Sequence, residues 1–379
     1  MTNSIASVII AGGYSSRMLA FKPLLDLGGV SVIEKVIETH RAAGVKKIIV
    51  VVGYNGEAIK EHLKGRDDVQ CVENPDYARG MYTSIQTGIA TLDETTEAFF
   101  MHPADIPLVR SETIKALVRA YSERRRGIVY PTFDGKRGHP PLIDFTYRSE
   151  ILCDSGEGGL KRVLEQFEKE AHDIICLDEG IALDMDTPED YERLKLYALS
   201  DAPGEHACQV IAAHYAVPEK VIGHCEAVSD IAISIGLHVN AVFTDAPLNL
   251  GLLYAAGRLH DVARVHKAHA HVGASWMRDI GYGRLGDVIE HHMDMDCLEK
   301  EPLTESEVLY LADKLVQESD YCGIEMRFEP MRERYANEPE ILEQIKRRYD
   351  TAKCIQNKVE SIIGREACYG QNGLFNPTR

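Results

Sequence analysis

At 379 residues and a formal net charge of -17, with 45% hydrophobic residues, the chain is long enough for two hydrophobic cores and too acidic for a general nucleic-acid binder. No run approaches the ~18 apolar residues that span a bilayer, and the N-terminus lacks a basic, apolar, cleavable leader, so a cytoplasmic protein without a membrane partner is expected. The cysteines show no CxxC spacing, which predicts reduced thiols rather than a disulfide framework.

Residues 5–10 read as a buried strand that runs into Gly12-Gly13-Tyr14, the hydroxyls Ser15 and Ser16, Arg17 and then Lys22. Glycines let main-chain N–H groups approach phosphate oxygens, and two fixed cations neutralise a polyphosphate. The run is neither a Walker loop nor a dinucleotide fingerprint, because Gly-Lys-Ser/Thr and Gly-x-Gly-x-x-Gly are both absent. A helix over residues 32–43 and a strand over 47–52 follow. The apolar run Ala98-Phe99-Phe100-Met101 predicts a strand, and Asp105 lies beyond its C-terminal end, where open α/β sheets gather ligand-binding groups. Thr187-Pro188-Glu189-Asp190 reads as a helix start, with a hydroxyl cap, proline at the first turn and acids behind it. Arg124-Arg125-Arg126 reads as a solvated helix end.

The glycine loop does not stand alone. Asn74-Pro75 through Gly80-Met81, Ser84-Ile85, Gly88, Pro103-Ala104-Asp105-Ile106-Pro107-Leu108, Gly138-His139-Pro140-Pro141-Leu142 and Asp184-Met185-Asp186 follow in order. Together these segments resemble the MobA-like nucleotidyltransferases, and within them the molybdenum cofactor cytidylyltransferases. The resemblance covers roughly the first half of the chain. It implies an α/β Rossmann-like nucleotidyltransferase domain with a mainly parallel sheet. It also implies transfer of CMP from CTP, or a nucleotide from another nucleoside triphosphate, to molybdopterin or molybdenum cofactor with release of pyrophosphate. A molybdenum hydroxylase apoenzyme is the partner that would receive the product. Arg17, Lys22 and Asp105 are then the catalytic candidates. Ala11, Gly12, Gly13, Ser15, Ser16, Arg17, Lys22, Asn74, Gly80, Ser84 and Gly88 are nucleotide-binding candidates, with Asp105 and Asp186 as Mg²⁺ ligands. His139 falls in the segment near the substrate side. Leu19 departs from the family pattern, which has glycine there. A sugar- or polyol-phosphate acceptor is the alternative, because one fold serves many acceptors.

Residues 200–204, Ser-Asp-Ala-Pro-Gly, read as a linker, placing domains at 1–200 and 201–379. Beyond it the patterns are helical. Ten of the fifteen histidines fall past residue 200, four of them between His260 and His271. Their order, His224, His260-Asp261, His271, His291-His292 and Asp313, resembles an HD-domain metal-dependent phosphohydrolase and implies an all-α HD domain. The segment 250–259 is apolar and helical in length and delivers His260-Asp261 at its end, while Asp313 sits in an apolar helix where an unpaired acid is costly. The resemblance implies His224, His260, Asp261 and Asp313 as a single-metal set, and His271 with His291 or His292 for a second metal. Mixed imidazole and carboxylate donors suit Mn²⁺, Fe²⁺, Ni²⁺ or Zn²⁺. Arg264 stands where many HD proteins have lysine. A non-catalytic nucleotide sensor is the alternative for this half. Residues 330–364 read as one or two charged surface helices, followed by a poorly ordered tail over 371–377.

Overall fold

The strand β1 (Ile5–Ala11) is buried at every position, as a strand covered on both faces must be. In the computed structural model, residues 4–14, 17–18, 20–124 and 127–364 are described, and they divide into two compact units, 1–199 and 200–379. Ser15, Ser16, Leu19, Arg125, Arg126 and the 371–377 tail lie outside the described residues.

In the first unit β1 is followed by α1 (Val32–Ala42), β2 (Lys47–Val52), α2 (Gly56–His62), β3 (Val69–Glu73), α3 (Met81–Ala90), β4 (Ala98–Pro103) and α4 (Ser111–Arg124). Then come β5 (Ile128–Phe133), β6 (Lys136–Arg137), β7 (Leu142–Asp144), α5 (Arg148–Cys153), α6 (Gly159–Glu165), β8 (Ala171–Ile175) and α7 (Pro188–Ser200). Local signals set the helix starts. Ser31 and Glu34 form a reciprocal capping box on α1, and Thr187 and Asp190 exchange the same pair of bonds ahead of α7.

The sheet runs β3-β2-β1-β4-β7-β5-β6, with β8 beside β5. Pairings among β3, β2, β1 and β4 are parallel, as is β5 with β8, while β7 pairs antiparallel with β4 and β5. Register decides where a ligand can bind. Ala11 lies opposite Val52, and Ile10 opposite Pro103, so the loops after β1, β2 and β4 leave the sheet at one level. The strand order reverses between β1 and β4, the switch point at which such sheets open a crevice.

The second unit is built from α8 (Glu205–His214), α9 (Glu219–Asn240), α10 (Leu250–Leu259), α11 (His269–Asp279), α12 (Gly283–Glu290) and α13 (Glu305–Lys314). A two-stranded ribbon, β9 (Val316–Gln317) with β10 (Asp320–Tyr321), leads to α14 (Gly323–Arg334) and α15 (Pro339–Ile363). Among the described residues no helix is long and apolar enough to cross a membrane.

Two expectations are corrected here. The C-terminal helices are not merely surface helices: α14 buries Ile324 and Phe328, and α15 buries Ile345, Ala352, Ile355 and Val359. Lys358 Nζ donates to both Glu307 carboxylate oxygens at 2.8 Å and to the Leu298 and Pro302 carbonyls, which fastens α15 to α13. The thiols are not all reduced either. Cys297 and Cys354 form a disulfide across a separation of 57 residues, too distant in sequence for spacing to reveal.

Candidate functional sites

At the crevice of the first unit, Gly12 is buried and Gly13 is exposed. A Cβ on Gly12 would lie 3.1 Å from Ser84 Oγ, while one on Gly13 would meet nothing within 4 Å, so the main chain at Gly13 stays open to a ligand. Ala11 is the last residue of β1 and is buried. Asn74 is 1% exposed; its amide donates to Thr83 Oγ1 and Ser84 Oγ at 2.9 Å, and its carbonyl accepts from Asp76 N. Asn74 and Ser84 therefore brace the wall on which Gly12 rests. Gly80 adopts φ 113°, which glycine tolerates and other residues do not.

Gly88 is a correction. A Cβ there would come 2.4 Å from Val8 Cγ1 and 2.8 Å from Val51 Cγ2, so this glycine lets α3 cross the sheet closely and is buried in packing.

The charged groups gather as their order in the sequence does not show. Asp186 Oδ2 accepts from Arg17 Nη1 at 3.1 Å and its Oδ1 from Lys22 Nζ at 3.0 Å. Asp105 accepts the Met185 N–H at its backbone carbonyl, which lays the Asp105 loop beside the Asp184-Met185-Asp186 segment. Burial raises the Asp105 carboxyl above the usual range; Lys22 opposes the rise, and the nearby charges of Asp186 and Asp184 add to it. Carboxylate oxygens are hard donors of the kind Mg²⁺ takes when it is shared with substrate phosphates.

Two histidines missed by motif reading hold this loop. His102 Nε2–H donates to the Ile106 carbonyl at 2.9 Å, which leaves its Nδ1 to accept from His40 Nε2–H at 2.8 Å. Both rings are fully buried. Burial keeps both neutral, with His102 lowered to about 3. A single cue existed in the sequence, the histidine next to Pro103 inside an apolar strand.

Beside the crevice lies a cavity of about 830 Å³, walled by Met81, Ile85, Tyr130 and Leu164, with Arg137 and His139 on its lining. His139 Nδ1 is buried without a hydrogen-bond partner, and burial lowers the ring's basicity while Asp184 opposes that.

In the second unit α9, α10, α11 and α13 bring His224, His260-Asp261, His269 and Asp313 together, with His292 entering just after α12. His224 Nδ1, His260 Nδ1 and His292 Nδ1 each face a carbonyl, of Glu318, Gly257 and Ile289, at 2.7–2.9 Å. A carbonyl only accepts, so each Nδ1 carries the proton and each Nε2 is turned toward the carboxylates. His260 Nε2 lies 3.8 Å from both Asp261 Oδ2 and Asp313 Oδ1 and is buried without a hydrogen-bond partner, while Asp261 Oδ1 faces the Nε2 atoms of His269 at 3.1 Å and His292 at 3.5 Å. Lone pairs facing one another in a buried cluster call for a cation between them. His224 Nε2 sits 3.1 Å from Asp313 Oδ1; burial opposes a proton there, but the Asp313 bond and charge prevail and raise its pKa. A metal would replace that proton.

Two groups have donor atoms close enough to share an ion: His224, His260 and Asp261, and Asp261, His269 and His292. Asp261 belongs to both. The second set corrects two expectations. His271 is 68% exposed and pairs with Glu290 on the outer face of α11, while His269 points inward, 3.1 Å from Asp261 Oδ1. His291 is exposed, and the chain turns back after α12 so that only His292 is buried. Lys314 was also missed. It is 7% exposed and donates to Asp313 Oδ2 at 2.6 Å and to the His292 carbonyl at 2.9 Å, holding two members of the cluster. Arg264 Nη1 approaches Asp261 Oδ1 at 3.6 Å.

Comparison with known proteins agrees with both geometries. A model of the MobA-like NTP transferase domain matches residues 7–172, and a model of the HD domain matches residues 221–317. The chain is a MobA-like NTP transferase domain fused to an HD domain. Both are domains of catalytic type. The chain is 27% identical over 189 residues to a molybdenum cofactor cytidylyltransferase of Escherichia coli, a match covering 50% of this chain and 94% of that protein. It is also 27% identical to a nicotine blue oxidoreductase of Paenarthrobacter nicotinovorans, over 50% of this chain and 96% of that protein. It is likewise 27% identical over 185 residues to the bifunctional protein GlmU of Geotalea uraniireducens, covering 47% of this chain but only 38% of that protein.

Proposed function

We infer that the first unit transfers CMP from CTP to molybdopterin-bound molybdenum cofactor in the cytoplasm, and that the second is a metal-dependent phosphohydrolase. The working domains are placed at 1–200 and 201–379. The observation that carries the transferase reading is the convergence, at the sheet's switch point, of the open Gly13 backbone, the Arg17 and Lys22 cations and the Asp105 and Asp186 carboxylates. CTP and the acceptor are supported by similarity to the E. coli cytidylyltransferase across nearly its whole length.

In this scheme a phosphate oxygen of the acceptor attacks the α-phosphorus of CTP, the α–β bridging P–O bond breaks, and pyrophosphate leaves. Gly12 and Gly13 N–H groups cradle the triphosphate, and Arg17 and Lys22 exchange Asp186 for phosphate oxygens. Mg²⁺ held by Asp105 and Asp186 would supply further charge neutralisation. Positioning and electrostatics suffice, and no covalent enzyme intermediate forms. The cavity beside the crevice would take the acceptor, with His139 facing it. In the HD site, His224, His260, Asp261 and Asp313, with His269 and His292, would hold Mn²⁺ or Fe²⁺, which would supply Lewis acidity toward a phosphoryl group. A molybdenum hydroxylase apoenzyme would take up the dinucleotide product.

A screen of pyrophosphate release with each nucleoside triphosphate, with and without molybdenum cofactor, tests this reading. Cofactor-dependent release from CTP supports it. Release from GTP but not CTP contradicts it, and turnover with a sugar or polyol phosphate alone replaces the acceptor.

A further inference from the structure

The HD match ends at residue 317, yet the cavity around the metal cluster does not. This cavity, of about 650 Å³, is lined by His224, Asp261, His292 and Asp313, and also by Arg327, Phe328 and Met331 from α14 and Arg348 from α15. The C-terminal helices therefore form a wall of the site.

The cations on this lining are not equivalent. Lys220 pairs with Glu318, Arg264 with Asp261, Lys314 with Asp313, and Arg348 makes a two-pronged bond to Asp294 at 2.7 Å. Arg327 has no ion pair among the described residues, and its Nε is buried without a hydrogen-bond partner. Leaving a guanidinium N–H buried and unmade is costly unless a ligand completes it. A planar fork of donors matches the oxygens of a phosphoryl group in two-pronged geometry. Phe328 and Met331, with Met293 across the cavity, supply apolar surface on the same lining. The volume is that of a pocket for an organic molecule rather than for a bare anion.

We propose that Arg327 of the C-terminal extension anchors the phosphoryl group of an organic phosphate monoester against the metal cluster, and that α14 and α15 complete the HD site and set its substrate class. This rests on the reading of the cluster as a phosphohydrolase metal centre. Arg327 acts by binding; the cluster's own residues are those proposed to hold the metal.

The test is calorimetric titration of the full-length, Mn²⁺-loaded protein with inorganic phosphate and with cytidine 5′-monophosphate. Wild type, Arg327→Gln, Arg327→Lys and, as a control on the exposed face of α14, Glu329→Gln would be compared, with bound metal measured in each. Both ligands should bind wild type, the nucleotide more tightly. Arg327→Gln should weaken both by about tenfold or more at unchanged metal content, Arg327→Lys should recover part of the loss, and Glu329→Gln should match wild type. Unchanged affinity in Arg327→Gln with metal retained would overturn the proposal, as would a metal-loaded wild type that binds neither ligand. Arg327-dependent binding without turnover of any phosphate monoester would sink the hydrolase reading and leave the anchor standing. Turnover with an unaltered KM in Arg327→Gln would do the reverse.

Discussion

His269 and His271 show how a single residue decides a site. They flank Ala270, which is buried, by about 100° on either side of the helix, so helical phase alone cannot choose between them. The choice is tertiary: Asp261 lies on one side and Glu290 on the other. His269→Ala should therefore lower the metal bound per chain, whereas His271→Ala should leave it unchanged, as read by elemental analysis of the purified variants. The buried His40 and His102 pair makes a different prediction. Both are neutral when folded, with pKa values depressed below the ordinary 6.5. An unfolded chain binds those protons as pH falls below that value, so stability is intact above pH 6.5 and is lost on acidification, for His102 down to about 3. At pH 5 the loss is on the order of 2 kcal/mol for His102, and His40 adds to it in the same direction. Denaturant unfolding of wild type and His102→Gln between pH 7 and 5 should show a shallower slope in the variant.

At the scale of elements, two fasteners carry quantitative expectations. Lys358 and Glu307 are 7% and 5% exposed, so truncating the lysine strands a buried carboxylate. Lys358→Ala should cost about 3 kcal/mol in denaturant unfolding, while a change at exposed Lys346 should cost almost nothing. Gly88→Ala forces a methyl into Val8 and Val51 and should cost about 1–3 kcal/mol with little effect on nucleotide affinity, which separates packing from ligand contact. Much of this level was legible in the chain. The strand β1, the start of α7 at Thr187-Pro188, and α10 ending just before His260-Asp261 follow from apolar period and caps that are purely local. What was not legible depends on distant partners. The charge of residues 330–364 suggested a surface, but α14 and α15 alternate that charge with Phe328, Ile345, Ile355 and Val359, which find their core against α13, α9 and one another. The disulfide between Cys297 and Cys354 was hidden for the same reason.

For the molecule as a whole, each half has its own core and its own cluster of carboxylates, one proposed to hold Mg²⁺ on oxygen donors alone and one with mixed imidazole and carboxylate donors close enough to share an ion. These clusters should respond to different ions. Mn²⁺ at a thousandfold excess over its dissociation constant should stabilise the second unit by about 4 kcal/mol, a shift seen in thermal unfolding and abolished by Asp261→Ala, which belongs to both ligand groups. On the proposed function, nucleotidyl transfer belongs to the first cluster alone. The most direct measurement is pyrophosphate release from CTP by the full-length protein with Mg²⁺ and molybdenum cofactor, with Asp105→Ala and Asp261→Ala run in parallel. Loss of release in Asp105→Ala with full retention in Asp261→Ala is the expected result. Release that survives in Asp105→Ala, or that vanishes in Asp261→Ala, would contradict the assignment of the two sites.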